Sequence, residues 1–209
     1  MKLKVCGMRD SLNIQELVKV KPDFIGFIFF PDSKRFVGHV LNLETLDSID
    51  SNIEKVGVFV NAEFEKIIKL AALYKLNYLQ LHGLESPEFC KKLKDQGFKI
   101  IKVFQVLDSL PDNLEEFENC SDYFLFDTKS DSFGGTGKKF DWSVLKDYNG
   151  KVPLFLSGGV DLDSVNDIKS INPKLNIYAV DINSKFEIEP GLKDIEKVKE
   201  FKKLLCNEL

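Results

Sequence analysis

Eight short apolar runs recur along this chain at a nearly fixed spacing. They are Leu3–Cys6, Phe24–Phe29, Val56–Val60, Tyr78–Leu81, Ile100–Val106, Tyr123–Asp127, Pro153–Ser157 and Ile177–Asp181. Most begin 21 to 24 residues after the one before, and two gaps are longer, at 32 and 30. Runs that are apolar throughout suit strands covered on both faces, as in a parallel sheet. The segments between them carry helical spacing. Phe64, Ile67, Ile68 and Ala71 share one helix face, as do Ile195, Val198, Phe201 and Leu205. Ser86-Pro87-Glu88 offers an N-cap followed by Pro at the first helical position. Eight strand–helix units in 209 residues approach the minimum size of a closed (β/α)8 TIM barrel, an α/β fold. An open doubly wound sheet is the rival. Eight regular units without a second domain favour closure, and residues 1–209 read as one catalytic domain.

Composition narrows the function. The chain carries 29 basic and 33 acidic residues, a net charge of −4, and 44% of it is apolar. That balance suits a globular core and argues against disorder and against a nucleic-acid partner, which would call for a basic face. The longest clean apolar run, Phe24 to Pro31, is too short to cross a bilayer, so no membrane association is expected. Met1–Asp10 lacks the apolar stretch of an export signal, which makes the cytoplasm the expected compartment. Cys6, Cys90, Cys120 and Cys206 form no C-x-x-C pair, so free thiols are expected and no metal site. Only two of the 29 basic residues are arginines, Arg9 and Arg35. Each is worth placing, because the planar fork of Arg matches carboxylate and phosphate.

The two long gaps fall after strands 2 and 6, at Phe30–Val40 and Thr128–Phe140, on the face where barrel enzymes carry their sites. Strand ends point to the same mouth. They supply Cys6, Asp127, Ser157-Gly158-Gly159 and Asp181, with Gln80 and His82 at strand 4. Cys6 and Asp127, on strands 1 and 6, read as two proton-transfer groups facing each other across a pocket, and a base and an acid on opposite sides of a ligand suit a proton-moving isomerisation. A capping carboxylate is the plain alternative for Asp127, and a structural hydrogen bond for His82. Gly158 and Gly159 after strand 7, with Ser184 after strand 8, lie where barrels often cradle phosphate. These residues together suggest a small phosphorylated substrate, acid–base chemistry and no cofactor.

The same motifs, in order, resemble the phosphoribosylanthranilate isomerases of tryptophan biosynthesis over nearly the whole chain. They are Lys4-Val5-Cys6-Gly7, Gly26-Phe27 with Ser33-Lys34-Arg35-Phe36, and Val56-Gly57-Val58-Phe59-Val60-Asn61. Gln80-Leu81-His82-Gly83, Phe126-Asp127-Thr128, Gly134-Gly135-Thr136-Gly137 with Phe140-Asp141-Trp142, and Leu156-Ser157-Gly158-Gly159 complete them. The resemblance implies a cofactor-free barrel that performs an Amadori rearrangement of N-(5-phosphoribosyl)anthranilate. It implies Cys6 as general base, Asp127 as general acid and Arg35 at the anthranilate side. Gln80, His82, Gly134, Gly135 and Asp181 are taken as further substrate contacts, and Gly158, Gly159 and Ser184 as the phosphate site. A base at Cys6 calls for a lowered thiol pKa, with Lys4 or a helix N-terminus as the cause. An acid at Asp127 calls for a raised one.

One stretch departs from the pattern. Where the family usually reads D-x-S-S-G, this chain reads Asp181-Ile182-Asn183-Ser184-Lys185. Lys does not readily take the left-handed backbone open to Gly, so a different loop path is expected, with the Lys185 side chain in solvent and an ammonium that reaches the phosphate as the alternative. Another phosphosugar isomerase, such as that of histidine biosynthesis, would be expected to carry Asp in place of Cys6. A non-catalytic barrel would be expected to lose Cys6 or Asp127. A monomer is the expected assembly, with a dimer as the alternative.

Overall fold

The computed structural model describes residues 1–38, 41–128, 141–171, 173 and 175–206. Its strands are β1 (Lys2–Val5), β2 (Phe24–Ile28), β3 (Glu54–Phe59), β4 (Tyr78–Leu81), β5 (Lys99–Val106), β6 (Tyr123–Thr128), β7 (Leu154–Leu156) and β8 (Ile177–Ile182). All eight pair in parallel and in sequence order, and β1 closes the barrel against β8. Each apolar run of the sequence lies on one strand, with ends within two residues of those read from it.

Helices α1 (Ser11–Lys19), α2 (Leu43–Asp47), α3 (Phe64–Tyr74), α4 (Pro87–Lys94), α5 (Leu114–Phe117), α6 (Val165–Ile171) and α7 (Ile195–Cys206) surround the barrel. Ser86 caps α4 by accepting from the Phe89 N–H, with Pro87 at the first position. Ile67 and Ala71 bury one face of α3, and Phe64 and Ile68 pack beside them. The expectation of a full α-helix in every unit needs correction. Among the described residues before β7, the element is a 3₁₀ helix, Trp142–Asp147. Trp142 and Leu145, three apart and both buried, match the three-residue turn of that helix.

Strand alternation sorts the interior. On β1, Leu3 and Val5 pack outward against the helix layer, which turns Lys4 and Cys6 inward. The starts of the strands contribute Phe24, Tyr78 and Phe155, with Tyr123 and Tyr178 against them. The Phe24 ring meets Tyr78 and Phe155 edge-on at centroid distances of 5.2 and 5.3 Å. This aromatic floor fills the N-terminal end, so polar groups collect at the opposite end. After β8 comes a 3₁₀ turn, Ser184–Phe186, and then a hairpin of β9 (Glu187–Glu189) and β10 (Leu192–Lys193). Nothing in the sequence pattern had marked that hairpin.

Candidate active site

Cys6 follows β1 directly and is 4% exposed. A Cβ on Gly26 of β2 would stand 2.9 Å from Cys6 Sγ, so only Gly leaves room for the thiol there. Below it lies Lys4, wholly buried, whose Nζ donates to Asp181 Oδ2 at 2.8 Å. The β1–β8 register sets those two residues side by side. Lys4 also lies close enough to Cys6 for its charge to act on the thiol. The expected lowering of the thiol does not result. Burial pushes the Cys6 thiol up, Lys4 pulls it back only in part, and it ends above its ordinary value of 9.0. Burial depresses the Lys4 ammonium, but Asp181 and Cys6 more than restore it. Burial likewise raises the Asp181 carboxyl against the pull of Lys4. The raised ammonium favours an ion pair and the raised carboxyl opposes one. We take the pair as ionic, because Asp181 is the carboxylate within hydrogen-bond distance of this fully buried cation.

Asp127 lies on β6, three strands from β1 by way of β7 and β8 rather than diametrically opposite. Its Oδ1 accepts from the Thr128 N–H at 2.9 Å and from Ser157 Oγ at 3.4 Å. Its Oδ2 faces His82 Nε2 at 3.6 Å, beyond hydrogen-bond length. Burial pulls the His82 pKa below its ordinary 6.5, although Asp127 raises it, so the imidazole is neutral at pH 7. Gln80 Nε2 sits 3.3 Å from His82 Nδ1, and Gln80 Oε1 is buried without a partner. The loop beyond His82 is rigidly held. Glu85 accepts from the Asn61 and Gly83 N–H groups at 2.9 Å each and from buried Lys102 at 2.8 Å.

The long loop after β2 folds back onto the barrel, with Val37 N–H donating to Ile28 O at 2.9 Å. It delivers Arg35, 8% exposed, to the mouth beside Gly7 and Asn183. There the guanidinium already has a partner. Its Nε lies 2.9 and 3.0 Å from the two oxygens of Glu187, and its Nη2 lies 2.7 Å from one of them. Gly158 and Gly159 hold left-handed φ of 87° and 69°, a tight turn that side chains would strain. Ser184 opens the 3₁₀ turn after β8. Lys185 is exposed and is not among the left-handed residues, so the turn does take a path open to Lys. The unusual Asn183 accepts from Lys193 Nζ at 2.7 Å through its side chain. Gly134 and Gly135 lie outside the described residues.

Sequence reading missed Glu187 and Lys193. Both belong to the short hairpin after β8, and no periodicity separates Lys193 from the other lysines of the chain. Among the described residues, no group of three His, Cys, Asp or Glu could hold a metal ion. No helix among them is long and apolar enough to cross a membrane.

This arrangement has known counterparts. Residues 3–203 match the family model described as N-(5'phosphoribosyl)anthranilate (PRA) isomerase. An N-(5'-phosphoribosyl)anthranilate isomerase of Parabacteroides distasonis is 46% identical over 202 residues, 95% of this chain and 90% of the relative. Crystallised monomers of the dimeric Thermotoga maritima enzyme superpose with a TM-score of 0.78 at 33% identity, covering 99% of each chain. A phosphoribosyl anthranilate isomerase in complex with reduced 1-(o-carboxyphenylamino)-1-deoxyribulose 5-phosphate superposes with a TM-score of 0.77 at 32% identity, again over 99% of each chain.

Proposed function

The chain belongs to the N-(5'-phosphoribosyl)anthranilate isomerase family, and from that premise we propose how its own residues carry the reaction. The reaction is the Amadori rearrangement of N-(5-phosphoribosyl)anthranilate to 1-(2-carboxyphenylamino)-1-deoxyribulose 5-phosphate, a step of tryptophan biosynthesis.

Asp127 gives a proton to the ribose ring oxygen. The bond from C1 to that oxygen breaks, leaving an iminium between C1 and the anilino nitrogen. Cys6, as thiolate, then removes the proton on C2. The freed electron pair forms the C1–C2 double bond and neutralises the nitrogen. A proton returning to C1 and one leaving the C2 hydroxyl give the ketone. C1 is reduced and C2 oxidised by the same electron pair, so the enzyme is an intramolecular oxidoreductase of the aldose–ketose kind and consumes no redox cofactor. The thiol rests protonated, because burial outweighs Lys4. The iminium is a new cation in the same mouth, so as the ring opens the thiol releases its proton to solvent and stands as thiolate when a base is required. On Asp127, Oδ1 takes the two donors, which leaves Oδ2 to carry the acidic proton.

Arg35 pairs with the anthranilate carboxylate, and Gly158, Gly159 and Ser184 hold the phosphate. Gly134 and Gly135 are taken as further substrate contacts. His82 stands against the sugar beside Asp127. Gln80 and Asp181 act from beneath, through His82 and through Lys4. The observation that carries this reading is the pairing of a buried thiol at the end of β1 with a carboxylate at the end of β6 in one polar mouth above an aromatic floor. A cytoplasmic setting, which four free cysteines support, and a monomeric assembly are part of the same proposal. Light scattering on the purified chain tests the assembly.

The test of the chemistry is turnover of freshly made phosphoribosylanthranilate, followed by loss of its fluorescence, beside the aminoaldose of the histidine-pathway isomerase. Turnover of the first substrate alone supports the reading. Turnover of only the second overturns it.

A further inference from the structure

Arg35, Glu187 and Lys193 form a buried cluster at the mouth, and its charges do not cancel. Lys193 Nζ donates to Glu187 Oε1 at 2.5 Å, to Asn183 Oδ1 at 2.7 Å and to Asn183 O at 3.4 Å. Its side chain is 0% exposed and that of Glu187 is 4% exposed. The main chain of Lys193 is pinned from α1: Asn13 Nδ2 donates to its carbonyl at 2.9 Å, and its N–H donates to Asn13 Oδ1 at 2.8 Å. Glu187 is saturated, since the Gly191 N–H also donates to Oε1 at 3.1 Å. Two cations therefore share one carboxylate. Burial pulls the Lys193 ammonium down to about 8 although Glu187 raises it, so it is still charged at pH 7.

We propose that Lys193 is a positioning residue for the substrate's aromatic carboxylate: by sharing Glu187 it keeps the Arg35 charge available to a second anion. This rests on the pairing of that carboxylate with Arg35 given above. Of the five N–H groups of Arg35, the Nε and one Nη2 hydrogen face Glu187. The other edge, Nη1 with the second Nη2 hydrogen, has the geometry of a bidentate carboxylate site. Glu187 on its own would fix the fork and also cancel its charge. With Lys193 present, Glu187 still fixes the fork, while the cluster keeps one net positive charge. An anthranilate carboxylate brings that charge to zero. The remaining polar partners, Asn13 and Asn183, are neutral, and the Lys4–Asp181 pair close by is balanced.

The experiment measures binding of the reduced product analogue and of its anilino counterpart, which lacks the carboxylate. Arg35→Ala should weaken the first about tenfold and the second less than about twofold. Lys193→Met should give the same pattern, because Glu187 then cancels Arg35. Lys193→Met with Glu187→Gln should recover most of the affinity, since Arg35 alone restores the single positive charge. Glu187→Gln alone should bind the carboxylate analogue at least as tightly as the wild type, and this arm holds even where Lys193→Met fails to fold. An Arg35→Ala variant that weakens both analogues equally overturns the underlying pairing. Discrimination lost in Arg35→Ala but kept in Lys193→Met overturns the role of Lys193. Failure of Glu187→Gln to rescue Lys193→Met, or weaker binding by Glu187→Gln alone, overturns it too.

Discussion

Lys4 and Asp181 meet beneath the thiol as one cation and one anion, whereas Glu187 at the rim serves both Arg35 and Lys193. Both clusters are buried and both draw on residues far apart in the chain. They differ in balance. The inner pair is complete without a ligand, and within it Lys4, against Asp181, restrains a thiol that burial raises. The outer cluster is one negative charge short, and its work begins when a substrate arrives. A third buried pair, Lys102 with Glu85, is complete as well and fixes the loop after His82. In this barrel, balanced pairs hold parts in place and the unbalanced cluster waits for an anion.

The sharpest way to break that contrast is to remove one lysine from each cluster. Lys4→Met strands Asp181 in the interior, and losing one partner of a buried pair costs about 3–5 kcal/mol. Urea unfolding should show that loss, and Lys4→Met with Asp181→Leu should recover most of it. Lys193→Met should cost clearly less, because Glu187 keeps Arg35. Equal losses from the two lysines would erase the distinction.

Cys6→Ser and Asp127→Asn come next in size. Each should lower kcat at least about 100-fold while the reduced product analogue still binds, because a positioned proton donor or acceptor contributes on the order of 10²–10⁴. Near wild-type turnover in either variant removes that residue from its role.

What the sequence made legible, and what it hid, follows the same division. Tyr78–Leu81 was read with the bounds it has as β4, because an apolar run covered on both faces leaves a plain signal. Cys6, Asp127 and Asp181 were legible as strand ends. The Lys4–Asp181 pair was not, since it depends on a register between residues 177 positions apart. Glu187 and Lys193 sit on strands of three and two residues, too short for any period to show. The direction of the thiol pKa was not legible either, since it turns on the depth of burial, which outweighs Lys4.

The smallest expected effect belongs to Lys185. Its side chain is exposed, and its carbonyl accepts from Lys197 Nζ at 2.6 Å. Lys185→Ala should change KM less than about threefold and leave the salt dependence of KM unaltered, because exposed ammonium groups stay hydrated. A larger rise in KM with a flatter response to salt would place the ammonium on the phosphate.

In the proposed mechanism the Cys6 thiol rests protonated until the substrate supplies a cation. The ultraviolet absorbance of the thiolate, wild type minus Cys6→Ser, reports that proton directly as pH is raised. The difference should be absent at neutral pH and grow in only above the ordinary thiol value of 9.0. A full thiolate signal already present at pH 7 would contradict the account.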